Sequence, residues 1–188
     1  APRDRLLAQA RAHEALVEVH YLQDASLPCL YAALRGLNVA ELAGRSPELA
    51  RGYATVGAIA GFVPLPGVAD GYCRRALDTA RGIGDLPAEI WASLTVAVYK
   101  VGVAAWDEAE TLLGFVLAES QRLGDSRRWE DGAQNMAAAH YLQGRFDQSL
   151  QLATDLMHSG IRRNDPRAQA SALQRTILCL LALGRDDE

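Results

Sequence analysis

Aromatic side chains are scarce in this 188-residue sequence, at 6%, and lysine occurs once, as Lys100. A core built from it must be filled mostly by Ala, Leu and Val, which supply much of its 49% apolar content. Small side chains of that kind favour closely packed helices. Long apolar runs are missing as well. No stretch reaches the roughly 20 residues that a membrane-spanning helix needs. The opening Ala1-Pro2-Arg3-Asp4 lacks the apolar centre of a secretion signal, and the absence of an initiating Met fits a piece of a longer protein. Cysteine is sparse: Cys29, Cys73 and Cys179 stand far apart among Leu, Tyr and Ala. That pattern reads as small core residues in a reducing compartment, not as a disulfide framework. A cytoplasmic location is the expectation.

Positive charge is also in short supply. The formal net charge is −4, whereas a duplex partner requires a clustered basic face. Neither nucleic acid nor a membrane is an expected partner. The pairs Arg74-Arg75, Arg127-Arg128 and Arg162-Arg163 read as solvated charges or as charges at helix C-termini. No phosphate-binding Gly-Lys loop, dinucleotide glycine pattern, zinc-protease histidine pair or nucleophile elbow occurs. His20 and His140 have no second ligand one turn away and read as core positions. The acids Asp107, Glu108 and Glu110, and the terminal Asp186-Asp187-Glu188, fall at expected helix starts. No catalytic residue, metal or cofactor is expected, and an enzyme is the least favoured class.

What the sequence does contain is a repeat. His20-Tyr21-Leu22-Gln23 returns as His140-Tyr141-Leu142-Gln143, three steps of 40 residues later. Gly44, Gly84, Gly124 and Asn164 keep the same step, and these are residue types suited to left-handed helix C-caps. Pro47 and Pro87 keep it at expected helix starts, where a missing N–H costs nothing. Trp106 and Phe146 keep it as core aromatics, while Trp91 and Trp129 do not repeat. Within each step the apolar periodicity runs as helix, short turn, helix. In the third step Ile90, Leu94, Ala97 and Val101 give way, after Gly102 to Ala105, to Trp106, Ala109, Leu113 and Val116.

The expectation is one all-α domain over 1–188, with repeats over about 5–44, 46–84, 86–124 and 126–164 and a half repeat over 166–188. That makes about nine helices in antiparallel pairs stacked as an α–α superhelix, with a lone last helix able to cap its neighbour. Pro64-Leu65-Pro66-Gly67 reads as a stiff inter-helix turn that prolines keep non-helical, and Pro28 as its counterpart in repeat one.

The stretches Gly102 to Ala118 and Gly144 to Ala153 combine a glycine before the turn, an aromatic with an acid, and then Ala or Ser. Gly57, Ala97 and Ala137 occupy the small crossing place of the preceding helices. In these features the chain resembles tetratricopeptide (TPR) repeats, although its step is longer than their usual 34 or so residues. Other helical arrays of similar period remain open. The run Glu14 to Tyr21, with Leu30 to Asn38 and Ser46 to Arg51, resembles the C-terminal repeat region of large bacterial signalling proteins. Those proteins join an adenylate or guanylate cyclase, kinase or DNA-binding domain to an AAA-type ATPase and a repeat tail. The resemblance implies a right-handed solenoid acting as a non-catalytic regulatory module. Its partner would be a protein or peptide, including other domains of the same polypeptide.

In such stacks the first helices line a concave groove. The resemblance places Arg11, Glu14, Glu18, Tyr21, Arg51, Trp91, Asp131, Gln134, Tyr141 and Gln174 on that face. Charges, amides and aromatics so mixed suit an extended peptide or helix. The face of repeat three, with Leu94, Val98 and Val101, is more apolar. Two alternatives stand beside this reading: a sensor that takes a small molecule or peptide in the groove, and a homo-oligomerisation module.

Overall fold

The computed structural model describes residues 2–63 and 65–185 and is all-helical among them. Nine helices follow in order: α1 Arg3–Leu22, α2 Ser26–Ala43, α3 Pro47–Phe62, α4 Pro66–Ile83, α5 Leu86–Gly102, α6 Trp106–Leu123, α7 Ser126–Leu142, α8 Phe146–Arg163 and α9 Pro166–Leu183. None of them is long and apolar enough to cross a membrane.

Backbone geometry explains where the helices stop. Positive φ occurs at Asp24, Gly44, Gly84, Ala104, Gly124, Gly144, Asn164 and Gly184, so outside the undescribed position 64 a left-handed residue ends each 20-residue step. The period in the sequence is 40 residues, but the structural step is one helix and its turn. Gly84, Gly124 and Asn164 take the αL cap expected of them. Gly44 instead has φ 78° and ψ −167°, a region open essentially to glycine alone.

Helix starts alternate in chemistry. Ser46, Asp85, Asp125 and Asp165 cap α3, α5, α7 and α9, each accepting a backbone N–H two or three residues on. Ala25, Leu65, Ala105 and Arg145, which precede α2, α4, α6 and α8, provide no side-chain cap. Those second helices depend on packing instead.

Several expectations need correction. Pro28 lies in the first turn of α2, not in a loop, and Pro66 opens α4 as its first residue. Both sit where the N–H would be unpaired anyway; Pro64 lies outside the described residues, as do Asp186, Asp187 and Glu188. Of the arginine pairs, only Arg162-Arg163 ends a helix; Arg74 and Arg75 are mid-helix and Arg127 and Arg128 lie in the first turn of α7, where Arg74, Arg75 and Arg127 are exposed, as the solvated reading expects. Trp106 is half-buried, not a core residue, and so are Trp91 and Trp129. Cys73 and Cys179 are buried, while Cys29 is only partly so.

The chain divides into two compact units, Ala1–Val103 and Ala104–Glu188. In the first, α1 packs on α2, α2 on α3, α3 on α4 and α4 on α5, while α3 also meets both α1 and α5. In the second, α6, α7, α8 and α9 pack in succession and α7 also meets α9. The close approach rests on small residues: Ala50, Ala54, Ala69, Ala76 and Ala80 are wholly buried. At Gly57 a Cβ would stand 2.9 Å from Cys73 Sγ, so α3 and α4 touch almost backbone to backbone. Burial pushes the Cys73 thiol up to about 11, which leaves it an inert packing group. The second unit packs alike around Ala109, Leu113, Val116 and Ala153, and Ser149 donates to the Ala137 carbonyl at 2.7 Å.

Candidate partner-binding site

Three of the proposed groove residues meet in the first unit. Arg11 on α1 reaches Glu48 on α3 at 2.7 Å, and Arg51 on α3 reaches Glu14 on α1 at 2.9 Å and Glu48 at 3.9 Å. Two acids and two bases thus alternate across the α1–α3 seam. Burial alone would raise the pKa of Glu48. Hydrogen bonds from its backbone N–H and from Arg11, with the Arg51 charge, outweigh this and hold it below the ordinary carboxylate range. Behind the charges lies a cleft of about 20 Å³ floored by Ala10, Ala33, Gly36 and Gly52, room for about one water. These side chains are engaged with one another, and Glu48 was missing from the sequence-based set.

Glu18 and Tyr21 are exposed on α1, Tyr21 at 70%. Trp91 on α5 is half-buried. Of the apolar face foreseen for repeat three, Leu94 is buried and Val98 and Val101 are half-buried, so it is largely a packing surface.

In the second unit Asp131 on α7 accepts from Arg128 at 3.1 Å and from Arg167 on α9 at 2.8 Å. Tyr141 packs against Phe146, with ring centroids 5.5 Å apart, and lies under the Arg175 guanidinium at 5.0 Å. Gln134 and Gln174 are exposed. Nearby, Glu110 on α6 accepts from Arg145 and from Gln143, and these hydrogen bonds depress its pKa. Burial, helped by the Arg145 charge, lowers that of His140. Among the described residues no three His, Cys, Asp or Glu side chains group as a metal site.

The main surface that sequence reasoning missed is on α2. Leu27, Tyr31, Leu34 and Leu42 are 80%, 64%, 42% and 76% exposed. One repeat later each place is small or polar: Gly67, Asp107 and Asp147 align with Leu27, and Gly71, Thr111 and Gln151 with Tyr31. Arg74, Gly114 and Thr154 align with Leu34, and Gly82, Arg122 and Arg162 with Leu42. The signal was present in the register, as four large apolar residues at places the repeat otherwise gives to solvent. Leu16 and Val19 on α1 and Leu22 at its end are exposed too.

No family model matches the chain, and a search of curated proteins returns no match.

Proposed function

We propose that this chain is a non-catalytic protein-binding module of tetratricopeptide-like type, serving as a regulatory part of a larger bacterial signalling protein in the cytoplasm. The observation that carries the reading is the apolar stripe of α2. Residues 27, 31 and 34 follow i, i+4, i+7 spacing, which suits an amphipathic helix laid along them. Exposed apolar residues of this size, grouped where the other repeats are polar, mark a contact surface. Tyr21, at the end of α1, is a further exposed aromatic residue in the same unit. The groove-sensor alternative has less support in the first unit, since the cleft there has room for about one water.

Homo-oligomerisation is the second reading. It is favoured by Leu173, Ile177 and Leu181, exposed in line along α9. Concentration-dependent mass in sedimentation would support it.

The protein-binding reading is tested by immobilising the chain in lysate of its source cell. Wild type retains a discrete protein, and a Leu27→Asp/Tyr31→Asp variant with unchanged helical circular dichroism does not. Equal capture by both chains refutes the assignment.

A further inference from the structure

The second unit holds a cavity of about 240 Å³ where the end of α6, the start of α7 and the end of α8 converge. It is smaller than the usual pocket for a drug-sized molecule, at roughly 300 Å³ or more. Ser120, Gln121, Ser126, Trp129, Ser159 and Arg162 line it. None belongs to the groove set, and the site stands or falls independently of the α2 surface.

Register shows that the fold does not need Ser120 or Trp129. Where α6 has Ser120, the other second helices have Ala40, Ala80 and Gly160, and Trp129 stands where Leu49, Glu89 and Gln169 do; Ser126 and Arg162 recur as Ser46 and Arg122. Next to Trp129, Glu130 stands where the other first helices have Ala10, Ala50, Ile90 and Ala170. It is buried all the same, accepting from Ser159 Oγ at 2.7 Å and from Arg163 at 2.5 Å. Departures from the repeat thus gather around one cavity.

The chemistry of the lining is mostly that of donors. Ser120 is wholly buried, and its hydroxyl has no hydrogen-bond partner, a state that costs free energy unless something else supplies the acceptor. The Ser126 hydroxyl, the Trp129 indole N–H and the Arg162 guanidinium add further donors. Ser159 has committed its proton to Glu130, and Arg163 offsets the Glu130 charge. Trp129 offers a flat apolar face, while the α7 N-terminus is already capped by the Asp125 carboxylate and adds no free positive end.

From this lining we infer that the cavity binds a small organic carboxylate with a planar apolar part. The carboxylate takes the Arg162 charge and the Ser120 hydroxyl, and the planar part lies on Trp129.

Benzoate is the test probe, with benzamide as its neutral isostere and inorganic phosphate as an anion without the apolar part. The full chain is labelled with ¹⁵N and the Trp129 indole resonance assigned by Trp129→Phe. Benzoate is expected to shift that resonance saturably, with benzamide and phosphate each binding at least about fivefold more weakly. Arg162→Ala and Ser120→Ala should each weaken benzoate by about tenfold, the scale of a charge-assisted hydrogen bond. Ser120→Ala restores the residue found at Ala80, so it is expected to fold, and circular dichroism verifies this. A purely structural Ser120 would leave benzoate affinity unchanged, and that result overturns the assignment. So does the absence of a saturable shift, or benzamide or phosphate binding as tightly as benzoate.

Discussion

Each unit buries a glutamate on a first helix, but in different settings. Glu48 lies at the α1–α3 seam, where Arg11 and Arg51 reach it from the surface. Glu130 occupies a place that is Ala or Ile in the other first helices, and its side chain is 1% exposed. The surfaces differ in the opposite sense. The first unit exposes Leu27, Tyr31, Leu34 and Leu42 along a second helix, and the second unit puts Asp107, Thr111, Asp147 and Gln151 at the aligned places. At these places one repeat scaffold carries two kinds of departure: apolar groups moved outward on α2 and a charged group moved inward on α7. Positions that the fold leaves free are where function is to be sought.

The largest expected effect breaks the inward departure. Arg163→Ala leaves the Glu130 carboxylate buried without its counter-charge, and should destabilise the chain by about 2–3 kcal/mol, less than for a fully buried pair because Arg163 is partly solvated. Glu130→Leu removes the charge itself at a place where α5 has Ile90, and should stay within about 1 kcal/mol of wild type. Urea midpoints decide. Equal losses in the two variants would mean that Glu130 is not electrostatically dependent on Arg163.

Next in size is a packing effect confined to the first unit. Gly57→Ala drives a methyl group against Cys73 Sγ at 2.9 Å and the Cys73 N at 3.1 Å. Overpacking of this kind outweighs the gain in helix propensity, for a net loss of about 1–2 kcal/mol. Gly67→Ala, in a helix of the same unit with nothing within 4 Å of its Cβ, should instead be neutral or stabilising by thermal melting.

Acid separates the units by a smaller margin. His140 titrates below its usual 6.5 and Glu110 below its usual 4.5 in the folded chain. With both pKa values depressed, the unfolded chain binds more protons, so stability is present above the unfolded values and lost as pH falls. The second unit should begin to lose stability just below pH 6.5, through His140. Glu48, also depressed from 4.5, acts in the first unit only at lower pH. His140→Gln should flatten the decline in urea midpoint between neutral pH and about pH 5; an unchanged slope would remove His140 as its cause.

Much of the fold was legible because its causes are local. The residues that end α4, α6 and α8 are Gly or Asn, and Asp85, Asp125 and Asp165 follow them at fixed spacing. The left-handed residues at Asp24 and Ala104 were not legible, since neither residue type demands that geometry. Of the residues assigned to the groove, Arg11, Glu14 and Arg51 lie together at the α1–α3 seam. Their occupation by mutual ion pairs was hidden because Glu48 sits on an otherwise core-facing turn of α3. The α2 stripe and the Ser120 cavity escaped because both are exceptions to the period, and a search for repetition passes over what does not repeat.

The smallest effect tests those two unforced turns against the glycine turns of the later helices. Ala104 holds φ 57° where Gly144 holds 75° and Gly184 holds 66°. A non-glycine residue there costs about 1–2 kcal/mol in backbone sterics, whereas glycine loses about 0.5–1 kcal/mol more chain entropy on folding. Ala104→Gly should therefore stabilise by about 0.5 kcal/mol, and Gly144→Ala should destabilise by about 1 kcal/mol. The opposite signs are the point of the pair, because helix propensity alone would favour alanine at both places. If Ala104→Gly lowered the melting temperature, the steric cost at that turn would already be met by contacts of the methyl group. The 20-residue rhythm of left-handed residues would then be imposed by packing of the helices, and not by the turns themselves.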